Sequence, residues 1–123
     1  MTDAVDERPT PWVGHISLTV DDLAGAFDFY QRIGMRPIVH QDGVAILELR
    51  GGTHLILQPG PTEGGDAPFD LMVDDLVEVR ARWSAEGLDV SEIMTGDIHD
   101  VFVLTDPDGH RFLVYNSHVA GPV

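Results

Sequence analysis

The chain has 123 residues, of which 43% are hydrophobic, and this length fits one compact domain with a modest core. Its net charge of −14 repels phosphate backbones and anionic lipid, so we expect neither nucleic acid nor a membrane as a partner. The charge attracts a cationic ligand, although it also serves solubility. The sequence lacks cysteine, a long apolar run and a signal-peptide pattern, which together favour a cytoplasmic location.

The N-terminal stretch "MTDAVDERPTPW" is polar and contains two prolines, so we expect residues 1–12 to form a flexible tail. The run "HISLTVDDL" follows from His15. It alternates apolar and polar residues, as a strand does, and ends in two aspartates that favour a helix N-terminus. Gly34 is typical of the residue that ends a helix. Apolar residues predicted on one face of this helix are Leu23, Ala26, Phe27 and Tyr30.

A second run, "PFDLMVDDL", begins at Pro68 and repeats this pattern. The same interval separates Pro68 from His15, Trp83 from Tyr30, and Gly87 from Gly34. Three strand-like runs follow each predicted helix: "RPIVH", "VAILEL" and "THLILQ" in the first half, "VSEIM", "VFVLT" and "RFLVYN" in the second. The linker "QPGPTEGGDAP" separates the halves, so the predicted order is βαβββ twice.

These elements predict an α+β fold built from two βαβββ modules. Module 1 covers about residues 13–59 and module 2 about residues 67–117, within one domain over 13–117 that is followed by a C-terminal tail, 118–123. Each helix covers one face of a small sheet, and the other face has to pack against another surface to be buried. Two curved sheets that meet face to face would enclose a cavity.

The stretches "GHISLTVDDL", "FYQRIGMRP" and "LTDPDGHRFLVYN" resemble the vicinal oxygen chelate superfamily. This superfamily includes glyoxalase I, fosfomycin-resistance enzymes, extradiol dioxygenases and bleomycin-resistance proteins, and the resemblance covers about residues 13–117. It implies a curved mixed sheet around a cavity. The fold hosts many chemistries, so the resemblance alone does not name the activity.

Catalytic members of this superfamily hold one divalent metal with ligands from the first and last strands of both modules. In this sequence the four corresponding positions are His15, Ile56, Pro68 and Leu113. Isoleucine and leucine have no donor atom and proline offers only its carbonyl, whereas a catalytic metal takes about three protein ligands. We therefore expect no metal and no other cofactor. A divalent metal held by a rebuilt set, His15, His54 and Asp70, is the alternative.

Strand alternation places further side chains on the faces that carry these positions. The predicted ligand-binding residues are His15, Ser17, Thr19, His54, Ile56, Gln58, Asp70, Met72, Arg111, Leu113 and Tyr115. They combine apolar surface with a few hydrogen-bonding groups, as small-molecule pockets do. The nearest aromatic side chains for stacking on a ligand are Trp12, Phe102 and Tyr115.

The remaining histidines are predicted to have no functional role: His40, His99, His110 and His118. His110 follows a glycine in the tight turn "DPDGH", so we expect its ring to point to solvent. Asp106 and Asp108 in the same turn are predicted to form the turn, and a paired-carboxylate catalytic site is not expected there.

The sequence predicts a metal-free small-molecule-binding protein, similar to bleomycin-resistance proteins, that sequesters a cationic or amphipathic compound such as an antibiotic. The alternative is a glyoxalase-like lyase or a dioxygenase-like oxidoreductase, with a rearranged metal site or with His15 as acid/base. Whether the protein is an enzyme therefore stays open. The resemblance implies a homodimer, which exposed sheet edges also favour, and a purely dimerising role is a third possibility.

Overall fold

Two helices and ten strands form the fold in a computed structural model, which describes residues 5–123. The predicted α+β class is confirmed. The N-terminal segment 5–14 contains no helix or strand, and residues 1–4 of the predicted tail lie outside the described residues. No helix in the described part of the chain has the length and apolar character needed to span a bilayer.

The first module contains one helix and a four-stranded sheet, which we call sheet 1. Its elements are β1 (His15–Val20), α1 (Leu23–Arg32), β2 (Arg36–Gln41), β3 (Val44–Glu48), a 3-10 turn (Arg50–Gly52) and β4 (His54–Pro59). The strand order is β1-β4-β3-β2, with β1 parallel to β4 and the other pairs antiparallel. As predicted, an aspartate begins the helix: Asp22 accepts a hydrogen bond from the Gly25 amide at 3.2 Å.

The second module repeats this order around a six-stranded sheet, sheet 2. Its elements are β5 (Gly65–Asp66), β6 (Leu71–Val73), α2 (Leu76–Ala85), β7 (Asp89–Val90), β8 (Met94–Thr95), β9 (Asp100–Thr105) and β10 (His110–Asn116). β10 lies between β9 on one side and both β5 and β6 on the other, and β7 and β8 both pair with β9. Asp75 caps α2 as Asp22 caps α1.

Two details of the second module differ from the sequence-based expectation. The predicted single strand "VSEIM" is two short strands, because the Ser91 hydroxyl accepts the hydrogen bond of the Val103 amide at 2.8 Å. This side-chain acceptor takes the place of a backbone acceptor and interrupts the ladder. The linker also contributes the short strand β5, which the Gly- and Pro-rich sequence does not indicate.

Each helix covers one face of its own sheet and buries the alternate strand residues there. In sheet 1 the fully buried residues are Val20, Ala45, Leu47, Leu55 and Leu57; in sheet 2 they are Phe102, Leu104, Phe112 and Val114. From α1 the core receives Ala26, Phe29 and Tyr30. Phe27, predicted on the same helix face as Ala26 and Tyr30, is half-buried against the core and packs on His40, with ring centroids 4.8 Å apart.

The two helix-covered faces share one hydrophobic core, so the modules pack back to back within the chain. The Tyr30 ring lies 6.0 Å from that of Phe112, and its hydroxyl donates to Asp106 at 2.7 Å. In the described chain no strand of sheet 1 pairs with a strand of sheet 2. The face of each sheet that its helix does not cover, here called its open face, therefore remains accessible: Ser17 and Leu113, for example, are exposed.

The linker docks on the β9–β10 turn through Gly64, which has a φ of 74°. A Cβ atom at this position would lie 2.6 Å from the Asp108 carbonyl oxygen, too close for a rigid turn to accept. We therefore expect Gly64→Ala to lower the free energy of unfolding by about 2 kcal/mol or more, measured by urea denaturation.

Gly14→Ala is the matched control, because a Cβ atom added there would meet no heavy atom within 4 Å and the φ of Gly14 is not positive. It should unfold at the same urea concentration as the wild type. Equal stability of the two variants would show that the linker does not pack on the turn as described.

Candidate functional site

A row of three ionisable side chains crosses the open face of sheet 1. The strand register sets His54 of β4 beside His15 of β1 and beside Glu48 of β3. The His54 Nε2 atom lies 3.1 Å from a Glu48 carboxylate oxygen, and the His15 and His54 ring centroids are 6.0 Å apart. Because the backbone fixes the register, the row is a built feature of the sheet.

The surroundings of the row leave it open to a ligand. The second Glu48 oxygen lies 3.5 Å from Arg36, so the carboxylate is shared between a guanidinium and an imidazole. A cavity of about 450 Å³ opens over His15 and His54 and is bounded by the N-terminal segment with Trp12, whose side chain is largely exposed. Two imidazoles and an aromatic ring thus border one space.

Glu48 was not among the predicted ligand-binding residues, although the sequence contains a signal for it. "ELRGGTH" is a tight connection between two strands, and such a connection places the residues before and after it on opposite positions of a hairpin. The other predicted residues of this module lie further along the same open face. Ser17 is directly beside Ile56, and Thr19 is beside Gln58.

The open face of sheet 2 carries the remaining predicted residues of β10. Leu113 is exposed and hydrophobic, and Arg111 forms an ion pair with Asp66 at 3.0 Å. Tyr115 packs against His99, with ring centroids 5.3 Å apart. The ring centroids of His118 and His99 are 4.2 Å apart. Tyr115 was predicted as an aromatic side chain that could stack on a ligand. The aromatic surface around it also includes His99 and His118, which were predicted to have no functional role.

Phe102 does not belong to that surface. Its ring is fully buried on the helix-covered face of sheet 2, 5.8 Å from Trp83, so the expectation that it could stack on a ligand was wrong. Strand alternation gives the reason, because Phe102 lies opposite Val114 of β10, also fully buried, and not opposite an exposed neighbour such as Leu113.

Asp70 and Met72 line a different space. They border a cavity of about 510 Å³ at the seam between the modules, together with residues of the α1–β2 connection, the 3-10 turn and the C-terminal segment. This intermodule cavity contains none of the predicted residues of sheet 1, and the cavity over His15 contains none of sheet 2. Within one chain, His15 and His54 thus lie apart from Asp70 and Met72, in different cavities.

The four metal-ligand positions implied by the resemblance do not supply a donor set. Only His15 carries a donor side chain, whereas Ile56, Pro68 and Leu113 have none. Ile56 and Leu113 do lie on the open faces, as the superposition of the two halves requires. The residues at these positions therefore do not fit a divalent ion, because water would compete successfully with a single imidazole.

One other cluster has metal-ligating residues: Asp106, Asp108 and His110, whose donor atoms lie within 4.8 Å of one another. The Asp106 carboxylate, however, already accepts four hydrogen bonds, from the Tyr30 hydroxyl, the His110 ring and the amides of Asp108 and His110, at 2.7–3.0 Å. These donors occupy its oxygen lone pairs. The cluster is therefore better explained as the hydrogen-bonded support of a turn.

His110 is part of this support, so the expectation that its ring points to solvent was wrong. The ring is buried; Nδ1–H donates to Asp106, and Nε2 lies 3.1 Å from the Thr62 hydroxyl of the linker. Burial and the neighbouring carboxylate raise the pKa of Tyr30 well above its usual range, so its hydroxyl stays a donor. The pKa of Asp108 is also raised, by burial and by the negative charge of Asp106.

Comparisons with known proteins agree with this architecture. Residues 12–114 match the family model described as Glyoxalase/Bleomycin resistance protein/Dioxygenase superfamily. Among curated proteins, none matches the sequence.

Solved structures with the same fold include TnmS3, an antibiotic binding protein from Streptomyces sp., with a TM-score of 0.77 and 22% identity over 91% of this chain and 100% of that one. A lactoylglutathione lyase from Agrobacterium tumefaciens has a TM-score of 0.76 and 20% identity over 92% and 98% of the two chains. A superfamily member from Sphaerobacter thermophilus has a TM-score of 0.77 and 19% identity over 87% and 98%. At these identities the likeness shows the fold alone.

Tyr30→Phe tests whether the Asp106 network holds the modules together. The change removes one donor from a buried carboxylate and should lower the free energy of unfolding by roughly 1–3 kcal/mol, because the carboxylate oxygen loses a partner that water cannot replace. Urea denaturation followed by circular dichroism measures it. Tyr115→Phe, which removes a hydroxyl from the open face, should change stability much less; an equal effect would contradict the assignment.

Proposed function

Because this chain belongs to the glyoxalase/bleomycin resistance protein/dioxygenase superfamily, we propose that it is a small-molecule-binding protein that sequesters a cationic or amphipathic compound, such as an antibiotic, without a metal ion. The observation that carries the proposal is the chemistry of the metal-ligand positions, where three of four side chains offer no donor. The net charge of −14 favours a cationic ligand.

The binding site in this proposal forms between two copies of the chain. The helix-covered faces are buried in the internal core, and the open face of sheet 2 is left with an exposed apolar side chain, Leu113, at 43% exposure. A second copy that placed its sheet 2 over sheet 1 would cover this surface. It would also bring the predicted ligand-binding residues of β1 and β4 and those of β10 into one cavity.

The fold of this chain also occurs in an antibiotic binding protein and in a lyase. These two neighbours represent the two functions that the sequence leaves open, and the donor chemistry favours the first. Apolar walls with a few aimed polar groups bind drug-sized molecules without metal.

Leu113→Glu tests the homodimer and the ligand site together. The wild type should have twice the 13.5 kDa chain mass by light scattering and should be thermally stabilised by at least one member of a panel of cationic antibiotics. The variant should be monomeric and lose that stabilisation, because a carboxylate would be buried in the interface.

The matched control is Val77→Glu, which places the same charge on α2 at a side chain that is 68% exposed and away from the open faces. It should leave both the mass and the stabilisation unchanged. A wild type that is monomeric, or a panel that stabilises nothing, would count against the proposal.

An enzyme with a rearranged site is the second candidate, and the row of His15, His54 and Glu48 is the observation that favours it. Two imidazoles and a carboxylate form a ligand set that catalytic zinc and non-haem iron both use. A rotation of the His15 side chain would be needed to gather all three donors. Alternatively, Glu48 orients the His54 imidazole as a general base for a lyase reaction.

Elemental analysis of protein purified without a histidine tag separates the two candidates. The binding proposal predicts far less than one Zn, Ni, Mn or Fe per chain, and a His54→Ala variant with the same metal content as the wild type. His40→Ala, which alters a histidine outside the row, is the control. Near-stoichiometric metal that His54→Ala and His15→Ala remove, and His40→Ala retains, would establish the enzyme candidate instead.

A further inference from the structure

The intermodule cavity is a second space of ligand size, and it is complete within one chain. It measures about 510 Å³, inside the range of roughly 300–1,000 Å³ that small-molecule sites occupy. One side is formed by the residues that follow α1 and by the 3-10 turn of the first module, and the other by β6 of the second. The C-terminal segment, with Ser117 and Val119, forms a third wall.

The floor of this cavity is the hydrophobic core itself. Ile33, Met35 and Trp83 line it and are among the core residues, with exposures of 9%, 8% and 3%. Leu71 and Val73 of β6 are half-buried on its other side. An apolar ring system placed there would remove this surface from water, which stabilises a complex by on the order of 25 cal/mol per Å².

The mouth of the cavity has an excess of negative charge. Arg50 of the 3-10 turn and Asp74, just beyond β6, form an ion pair at 2.7 Å that connects the two modules. Asp70 also lines the cavity, and its carboxylate has neither an ion-pair nor a hydrogen-bond partner among the described side chains and amides. One unpaired carboxylate at the mouth favours a ligand that carries a single positive charge.

The wall contributed by Trp83 contains a donor without an acceptor. Its indole Nε1–H is buried and has no hydrogen-bond partner among the described residues, which is uncommon for a buried N–H group. Because Trp83 lines the cavity, an oxygen atom of a bound ligand is a candidate acceptor for this N–H group. Together, the apolar floor, the free carboxylate and the unpaired N–H describe a complementary ligand.

We propose that the intermodule cavity binds a flat, mostly apolar organic cation that carries a hydrogen-bond-accepting oxygen, with its ring system against Trp83 and Met35 and its charge at Asp70. The site rests on the proposed function for the class of ligand, but not for its location. It needs no second copy, whereas the site between the open faces does.

Trp83 makes the proposal measurable. The chain contains two tryptophans, so a Trp12→Phe background leaves Trp83 as the sole indole reporter. Rhodamine 6G, a xanthene cation with an ester carbonyl, should quench Trp83 emission saturably with one dye per chain. Fluorescein, a xanthene dye of opposite charge, should not.

Asp70→Asn should weaken rhodamine binding roughly twofold to fivefold, because the exposed carboxylate interacts through a screened charge. Asp28→Asn, which makes the same change in net charge on the exposed side of α1, should leave the affinity unchanged. Val73→Phe should abolish binding by filling the cavity. Ser117→Arg, which adds a positive charge at the C-terminal wall without altering the core, is a second blocking variant if Val73→Phe does not fold.

Leu113→Glu distinguishes this site from the one between copies. It should leave rhodamine quenching of Trp83 unchanged even though it disrupts the homodimer. Loss of quenching in this variant would assign the dye to the open faces and overturn the intermodule site. Absence of saturable quenching in the Trp12→Phe protein, or equal affinities of Asp70→Asn and Asp28→Asn, would overturn it as well.

Discussion

The back-to-back packing of the two modules is the constraint on which the rest of the structure depends. Each helix covers one face of its sheet, and these covered faces then share a single core. The hydrogen bond from Tyr30 to Asp106 crosses this junction and connects α1 to the turn before β10. Because a carboxylate buried without partners is costly, the turn, the linker and α1 are held in one arrangement.

The same packing determines which surfaces of the chain remain accessible to ligands. The open faces cannot meet inside one chain, so they remain exposed and carry a mixture of polar and apolar side chains. On sheet 1 the mixture is ordered, with His15, His54 and Glu48 in one row across three strands. Binding and catalysis would both use this row, and the difference between them is whether the row gathers a metal ion or only hydrogen bonds.

The back-to-back packing also leaves a seam between the two modules. The contact between the two modules is incomplete there, and a cavity remains between the α1–β2 connection and β6. The Arg50–Asp74 ion pair spans it at the surface, while Trp83 closes it from below. With the proposed homodimer, such a chain would have one ligand site within each copy and another between copies.

The local pattern of the sequence was sufficient to predict the helices and strands. The repeat that equates His15 with Pro68, the aspartates at both helix starts and the alternation along β4 and β10 predicted two βαβββ modules and the open-face residues, because these features depend on neighbours in the chain. The sequence pattern did not predict which distant segments are in contact. Only tertiary packing determines which distant groups meet. It decided that the His110 ring points inward to Asp106 and Thr62 and that His99 packs against Tyr115. It also decided that Asp70 borders the intermodule cavity together with Met35.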